Sequence, residues 1–345
     1  MSEAYATLVY GDTPLACAAA VLGIGLRELD ASRDRVAIVR AISPRVRSIL
    51  LSAGWRLHEV ARKRLPQRQY VRDLTRKNEL WRLPYKRVLY MDADTYLLPA
   101  ARGAASGRSS RLRMLWDAFP LDTVGSVAAT GIRPHFYAND TLTKTCFNGG
   151  FIMLKPDAAT ARRLDGIDAH RARQEPEAAT GRRCPGFDQP LLNRAFGPSA
   201  WQRIGDAQWR SITHWVASPD HPSVCGLTSR DALLRSADAY HFFHKVNPWE
   251  NVNCVLCVKG GMRCRPVVPI GHECAVHALT QTLWWQALLR ALPANETSSC
   301  LALTEQVSTD VAGVPSARKA KLKGRLCTGC SKRPTPACVA ASTDP

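Results

Sequence analysis

The sequence predicts an α/β protein with a mixed, mostly parallel sheet and helices on both faces, and three observations carry that expectation. Strand-like and helix-like segments alternate over the first ninety residues, as parallel βαβ units do. The run Val88 to Met91 is unbroken and apolar, the pattern of a strand buried on both faces. That run then meets two carboxylates, Asp92 and Asp94, at its carboxyl end, where ligands bind in open α/β sheets.

Taken in order, Ala4 to Tyr10 reads as a strand and the Ala- and Leu-rich stretch Leu15 to Leu29 as a helix. Val36 to Val39 is a second strand, and "PRVRSILLSAG" has helical spacing with Gly54 as its stop. A strand near Trp55 to Val60, a helix from about Tyr70 to Leu83 and the "VLYM" strand complete the alternation. Ala100 to Arg113 and Thr180 to Gly186, rich in small and polar residues, read as surface excursions. No period of 20 to 50 residues repeats. Regular alternation ends after Trp249, so residues 1–250 form the predicted main domain, 251–310 a cysteine-rich, partly helical extension, and 311–345 a basic, disordered tail.

At 345 residues and 46% hydrophobic, the chain can bury a sizeable core. Its net charge of +18 raises nucleic acid as a partner. The arginines are dispersed, however, and no zinc-finger spacing, stacking-aromatic motif or basic heptad accompanies them, so no nucleic acid is expected. No segment reaches the ~18 unbroken apolar residues of a membrane helix. Cys274 to Leu292 is interrupted by His277, Gln281, Gln286 and Arg290. No signal peptide precedes "AYATLVYGD", which implies the cytoplasm if the chain is complete as given, or the Golgi lumen if an N-terminal anchor is missing. Ten of the twelve cysteines follow residue 180, consistent with disulfides, with a zinc site from Cys254, Cys257, Cys264 and Cys274, or with free thiols. "NDT" at 139 and "NET" at 295 are glycosylation acceptors only in a lumenal setting.

Two acids on alternate residues of a straight strand lie ~6.6 Å apart, so a metal or a turn must bring them together. Hard oxygen ligands suit Mg or Mn holding substrate phosphates. Four further blocks lie around them. "CFNGGFIMLKP" offers Asn148 with two glycines that allow close backbone approach, and "PGFDQPLLNRAF" places Asp188 and Gln189 at the start of an apolar helix. "AYHFFHKVNPW" supplies His241, His244, Lys245 and Trp249, while Lys77 and Arg68 sit on or beside the helix before the acid pair.

In that order, "YATLVYGD", "RKNELWRLPYKRVLYMDAD", "FNGGFIMLKP", "FDQPLLN" and "HFFHKVNPW" resemble the glycogenin-like retaining glycosyltransferases, glycosyltransferase family 8, over about Ala4 to Trp249. The resemblance implies the GT-A fold, a Rossmann-like sheet, and transfer of a hexosyl unit from a UDP-sugar to a hydroxyl of a glycan, protein or small-molecule acceptor. It also implies that Asp92, Asp94 and His241 hold Mn(II), with Mg an alternative, and that Asp188, Gln189 and Lys77 take catalytic roles. Leu8, Tyr10, Arg68, Lys77, Asp92, Ala93, Asp94, Asn148, Gly149, Asp188, Gln189, His244 and Lys245 would then line the donor. Four positions depart from the family pattern: Pro14 stands where a stacking Tyr is usual, Gly11 for an Asn, and His244 and Asn247 for a Gly and a Lys on the diphosphate. These departures raise a non-catalytic relative that binds a UDP-sugar or glycan as the alternative. No tyrosine lies between Tyr137 and Tyr240, which excludes glycogenin's manner of self-priming.

Overall fold

The computed structural model describes residues 2–60, 75–98, 111–120, 127–131, 146–167, 184, 189–197, 200–205, 209–213, 226–242, 248, 263–264, 275–310 and 327–328. Strand β1 (Glu3–Tyr10) leads into helix α1 (Leu15–Leu29), β2 (Asp34–Arg40), α2 (Pro44–Ser52) and β3 (Arg56–Glu59). The sequence places these elements to within about two residues. Helix α2 starts at Ser43, whose side chain accepts from the Val46 amide, and ends before Gly54, whose φ of +85° is the left-handed conformation the stop requires.

Two expectations are corrected. The segment up to Leu83 is a 3-10 helix over Thr75–Arg82, with residues 70–74 outside the described set. Arg111 to Arg113 belong to helix α3 (Arg111–Ala118) rather than to a surface excursion, because Leu112, Leu115 and Trp116 share a buried helical face. The chain then continues through β4 (Arg87–Met91) and β5 (Thr95–Leu97), which precede α3, and β6 (Val127–Gly131), β7 (Phe147–Leu154), α4 (Ala158–Asp165) and α5 (Gln189–Phe196), which follow it. Next come β8 (Trp201–Ile204), β9 (Ser211–Thr213), α6 (Arg230–Ser236) and β10 (Ala239–His241). The last elements are β11 (Arg263–Cys264), α7 (Ala275–Ala291), α8 (Ala294–Asp310) and β12 (Cys327–Thr328).

Seven strands form one sheet in the order β3-β2-β1-β4-β7-β6-β8, and only the pairings of β7 are antiparallel. The period-2 alternation of β1 sorts its side chains cleanly between two cores. Ala4, Ala6 and Leu8 join Ile38, Val88, Tyr90 and Ile152 beneath the 3-10 helix, α4 and α5. Tyr5 and Val9 join Leu89, Met91 and Met153 beneath α1, α2, α3, α7 and α8. Helix α1 is buried almost all round, with the sheet on one side and α7 on another. A disulfide between Cys17 of α1 and Cys300 of α8 fixes that arrangement. A second joins Cys146 to Cys184.

One buried carboxylate of this core is fully paired. Asp30, at the end of α1, receives hydrogen bonds from the Tyr5 hydroxyl (2.8 Å) and the Ser32 amide (3.1 Å) and pairs with Arg33. Burial alone would raise its carboxyl, but the bonds from Ser32, Arg33 and Tyr5 outweigh burial and hold it below the usual carboxylate value. A group depressed in the folded state contributes stability above its unfolded value, ~3.9, and that stability disappears as pH falls through the folded value. Asp30→Asn is therefore expected to cost about 2–3 kcal/mol at neutral pH and to lessen the loss of stability below pH ~4. Urea unfolding of both proteins across pH 2 to 7 measures this; curves separated by a constant amount at every pH would refute it.

Candidate active site

Strand β4 is carried straight into the site by its neighbours. The Thr7 hydroxyl of β1 donates to the Met91 carbonyl (2.9 Å), and the Asp92 amide donates to the Gly150 carbonyl (2.9 Å), extending the β4–β7 pairing by one residue. A turn then reverses the chain, closed by the Thr95 amide on the Asp92 carbonyl (3.0 Å). Asp92 opens that turn and Asp94 lies within it. Beyond it, β5 pairs antiparallel with β10, setting Thr95 opposite His241, and the Phe242 amide donates to the Asp94 carbonyl (2.9 Å).

The result brings three predicted residues together. One ligand atom from each of Asp92, Asp94 and His241 lies within 4.8 Å of the others, the one such group among the described residues. His241 Nε2 is 3.0 Å from Asp94 Oδ1 and 3.8 Å from Asp92 Oδ2. Burial lowers the His241 imidazole, but the Asp94 and Asp92 carboxylates outweigh burial, against Lys77, and its value is raised overall. Any cation held by this group would therefore compete with a proton for that nitrogen.

The walls of this cluster show why the nearby residue types are needed. A Cβ on Gly150 would stand 2.6 Å from Asp92 Oδ2 and 3.0 Å from both Asn148 Oδ1 and His241 Cε1, so only glycine lets the acid and the imidazole converge there. Lys77, from the 3-10 helix, pairs with Asp92 Oδ1 (3.0 Å), donates to the Gly149 carbonyl (2.7 Å) and lies 4.8 Å from the Tyr90 ring centroid. Tyr90 donates its hydroxyl to the same Asp92 oxygen. Asn148 Oδ1 accepts from the Gly150 amide (2.7 Å).

Helix α5 docks on β7 through Asn193. Its side chain accepts from the Phe147 amide (2.8 Å) and donates to the Phe147 carbonyl (3.0 Å) and the Gln189 carbonyl (2.8 Å). The Cys146–Cys184 bond makes a second link beside the first, since Cys146 precedes β7 and Cys184 lies four residues before Asp188. Leu8 is buried in the core beneath the 3-10 helix, and Tyr10 packs against it. Ala93 is buried in the opposite core. Arg68, Asp188, His244 and Lys245 lie outside the described residues.

Sequence reasoning gave no role to Tyr90 or Asn193. A buried asparagine within the apolar stretch "QPLLNRAF" was the available signal, because an unpaired amide there would be costly. Tyr90 carried none, since tyrosine is ordinary in a strand.

No family model matches the sequence. The chain is 27% identical over 315 residues to a putative UDP-glucuronate:xylan alpha-glucuronosyltransferase 3 of Arabidopsis thaliana, a match covering 88% of this chain and 42% of that protein. The chain therefore spans less than half the length of that curated relative. Among solved structures, the apo form of the glycosyltransferase GlyE of Streptococcus pneumoniae is similar, with a TM-score of 0.50 and 16% identity over 90% of this chain and 64% of that one. The galactosyltransferase LgtC, solved with donor and acceptor sugar analogues, matches 92% of this chain and 99% of its own at 13% identity and a TM-score of 0.43. The protein has the GT-A-like glycosyltransferase fold, with a mostly parallel seven-stranded sheet flanked by helices.

Proposed function

We propose that the protein is a metal-dependent, retaining glycosyltransferase of family 8 that moves a hexosyl unit from a UDP-sugar to an acceptor hydroxyl. The observation that supports this reading best is the convergence of Asp92, Asp94 and His241 against a glycine that leaves room for no side chain. Two carboxylates and one imidazole suit Mn(II), with Mg(II) less favoured by the nitrogen ligand. When bound, such an ion neutralises charge on the leaving diphosphate.

The chain's own groups complete the site. Asp92 is held by Tyr90 and Lys77, so its carboxylate is oriented before any ligand arrives. Lys77 brings a second positive charge beside that carboxylate and beside the Gly149 carbonyl. Asn148 and Gly149 on β7, with Gln189 at the start of α5, form the side assigned to the donor sugar, and Asp188 is the carboxylate assigned to its anomeric carbon. His244 or Lys245 would supply positive charge at the diphosphate where the family pattern differs.

The test is a panel of UDP-glucuronate, UDP-glucose, UDP-galactose and UDP-N-acetylglucosamine, with xylan oligosaccharides and simple sugars as acceptors, with and without Mn(II). UDP-glucuronate belongs in it because the Arabidopsis relative is named for that donor. Release of UDP from one donor, only with metal, is the expected result. Mn-dependent UDP binding with no transfer or hydrolysis across the panel would instead favour the binding-only alternative.

A further inference from the structure

Strand β10, which ends at His241, and its partner β5, which follows Asp94, have a second face, and it is turned to helix α7. Side chains alternate along β5 and β10, so the face opposite Thr95 and His241 belongs to the paired residues Tyr96 and Tyr240. Both tyrosines are fully buried, and both phenols end on α7. The Tyr96 hydroxyl donates to the Leu283 carbonyl (3.2 Å), and the Tyr240 hydroxyl is hydrogen-bonded with His277 Nδ1 (2.6 Å).

A third bond leaves the same helix. The Trp285 indole N–H donates to the carbonyl of Pro248, the penultimate residue of the block containing His244 and Lys245. From His277 to Trp285 these attachments span roughly 12 Å of helix. A helix that merely covered an apolar face would need no polar attachments, because each buried polar group costs stability unless it is paired.

We infer that α7 is a built-in buttress of the metal site, and that Tyr240 and His277 are positioning residues that hold the strand bearing His241. The inference rests on the reading of Asp92, Asp94 and His241 as metal-holding groups. It makes α7, which lies beyond the stretch with family resemblance, part of the site's geometry. Tyr96 and Tyr240 connect α7 to the residues that follow Asp94 and precede His241, so a shift of the helix moves both together.

The experiment uses the full chain with Tyr240→Phe, His277→Ala and His277→Asn, the last returning a hydrogen-bonding group close to the position of Nδ1. Mn(II) binding is followed by electron paramagnetic resonance, and hydrogen exchange is followed at Thr95–Leu97 and Ala239–Phe242. Tyr240→Phe and His277→Ala are expected to weaken Mn(II) binding about tenfold. They are also expected to speed exchange in those two segments before the rest of the sheet, with His277→Asn restoring both readouts. If the unaltered protein takes up no Mn(II), the metal-site reading fails, and local exchange alone decides whether α7 holds the strands. Unchanged Mn(II) affinity in both disruptive variants, or exchange that rises uniformly across the sheet, overturns the inference.

Discussion

Replacing Asp94 by alanine is expected to reduce metal-dependent turnover roughly a thousandfold, while the protein stays folded. The size follows from the role proposed. A metal ion that stabilises a leaving diphosphate supplies several kcal/mol, and a loss of about 4 kcal/mol corresponds to three orders of magnitude in rate. Stability should change little, because the Asp94 side chain is partly exposed and fills no core volume, while its backbone carbonyl, which accepts from Phe242, is kept. The variant also removes the carboxylate 3.0 Å from His241, so the imidazole should titrate lower than in the unaltered protein. Turnover with and without Mn(II), beside a thermal melt, checks all of this. Undiminished Mn-dependent turnover in a folded variant would dismiss Asp94 as a ligand.

The second large effect is expected from a single methyl group. In Gly150→Ala the new Cβ would lie 2.6 Å from Asp92 Oδ2, closer than real Cβ atoms approach any neighbour, so the carboxylate must move. The backbone itself tolerates alanine, since Gly150 is not among the glycines with positive φ, and on entropy alone the change would favour the folded state. The cost therefore falls on function. Metal-dependent turnover should drop on the order of a hundredfold, with a weaker dependence on Mn(II), while the melting temperature shifts by only a few degrees. Calorimetric Mn(II) titration together with a melt separates the two effects. Full Mn(II) affinity in the alanine variant would mean that the close approach at Gly150 is incidental.

These two positions also mark how far the sequence could be read. The fold was legible because each element carries its own period: "VLYM" is buried on both faces, and "LACAAAVLGIGLREL" fits a helix enclosed on nearly every side. The acid pair was legible as a pair. A straight strand predicts ~6.6 Å between them, and the turn after Met91 that changes their spacing involves no glycine or proline to announce it. Gly150 was legible as a glycine, but its reason was not. Its neighbours, Asp92 and His241, are distant in sequence and meet it only through the pairing of β4 with β7 and of β5 with β10.

Helices α7 and α8 were read as part of a separate extension because they follow the last family-like block amid clustered cysteines. Their packing depends on what α1 leaves uncovered, and no local pattern records that. Val276, Leu283, Trp284 and Leu288 prove to lie in the same core as Met91 and Tyr240. Among the described residues, four cysteines are paired, and Cys264 and Cys327 sit opposite each other on β11 and β12. Cys254, Cys257 and Cys274 of the zinc alternative, like the acceptor Asn139, fall outside the described residues, whereas Asn295 is exposed at the start of α8.

The Cys17–Cys300 bond has a bearing on how the molecule is made. It turns the chain between those residues into a covalent ring, closed across 283 residues, whereas Cys146 and Cys184 are separated by only 38. On a ribosome adding 5–20 residues per second, Cys300 follows Cys184 by roughly 6–23 s. In an oxidising setting the small loop beside β7 can therefore form its bond while synthesis continues, but the ring cannot close until the C-terminal helices have emerged. During that interval Cys17 remains a thiol with a nearer cysteine available to it at every stage, so the order in which the two bonds form decides whether the nascent protein reaches its native pairing or must be reshuffled.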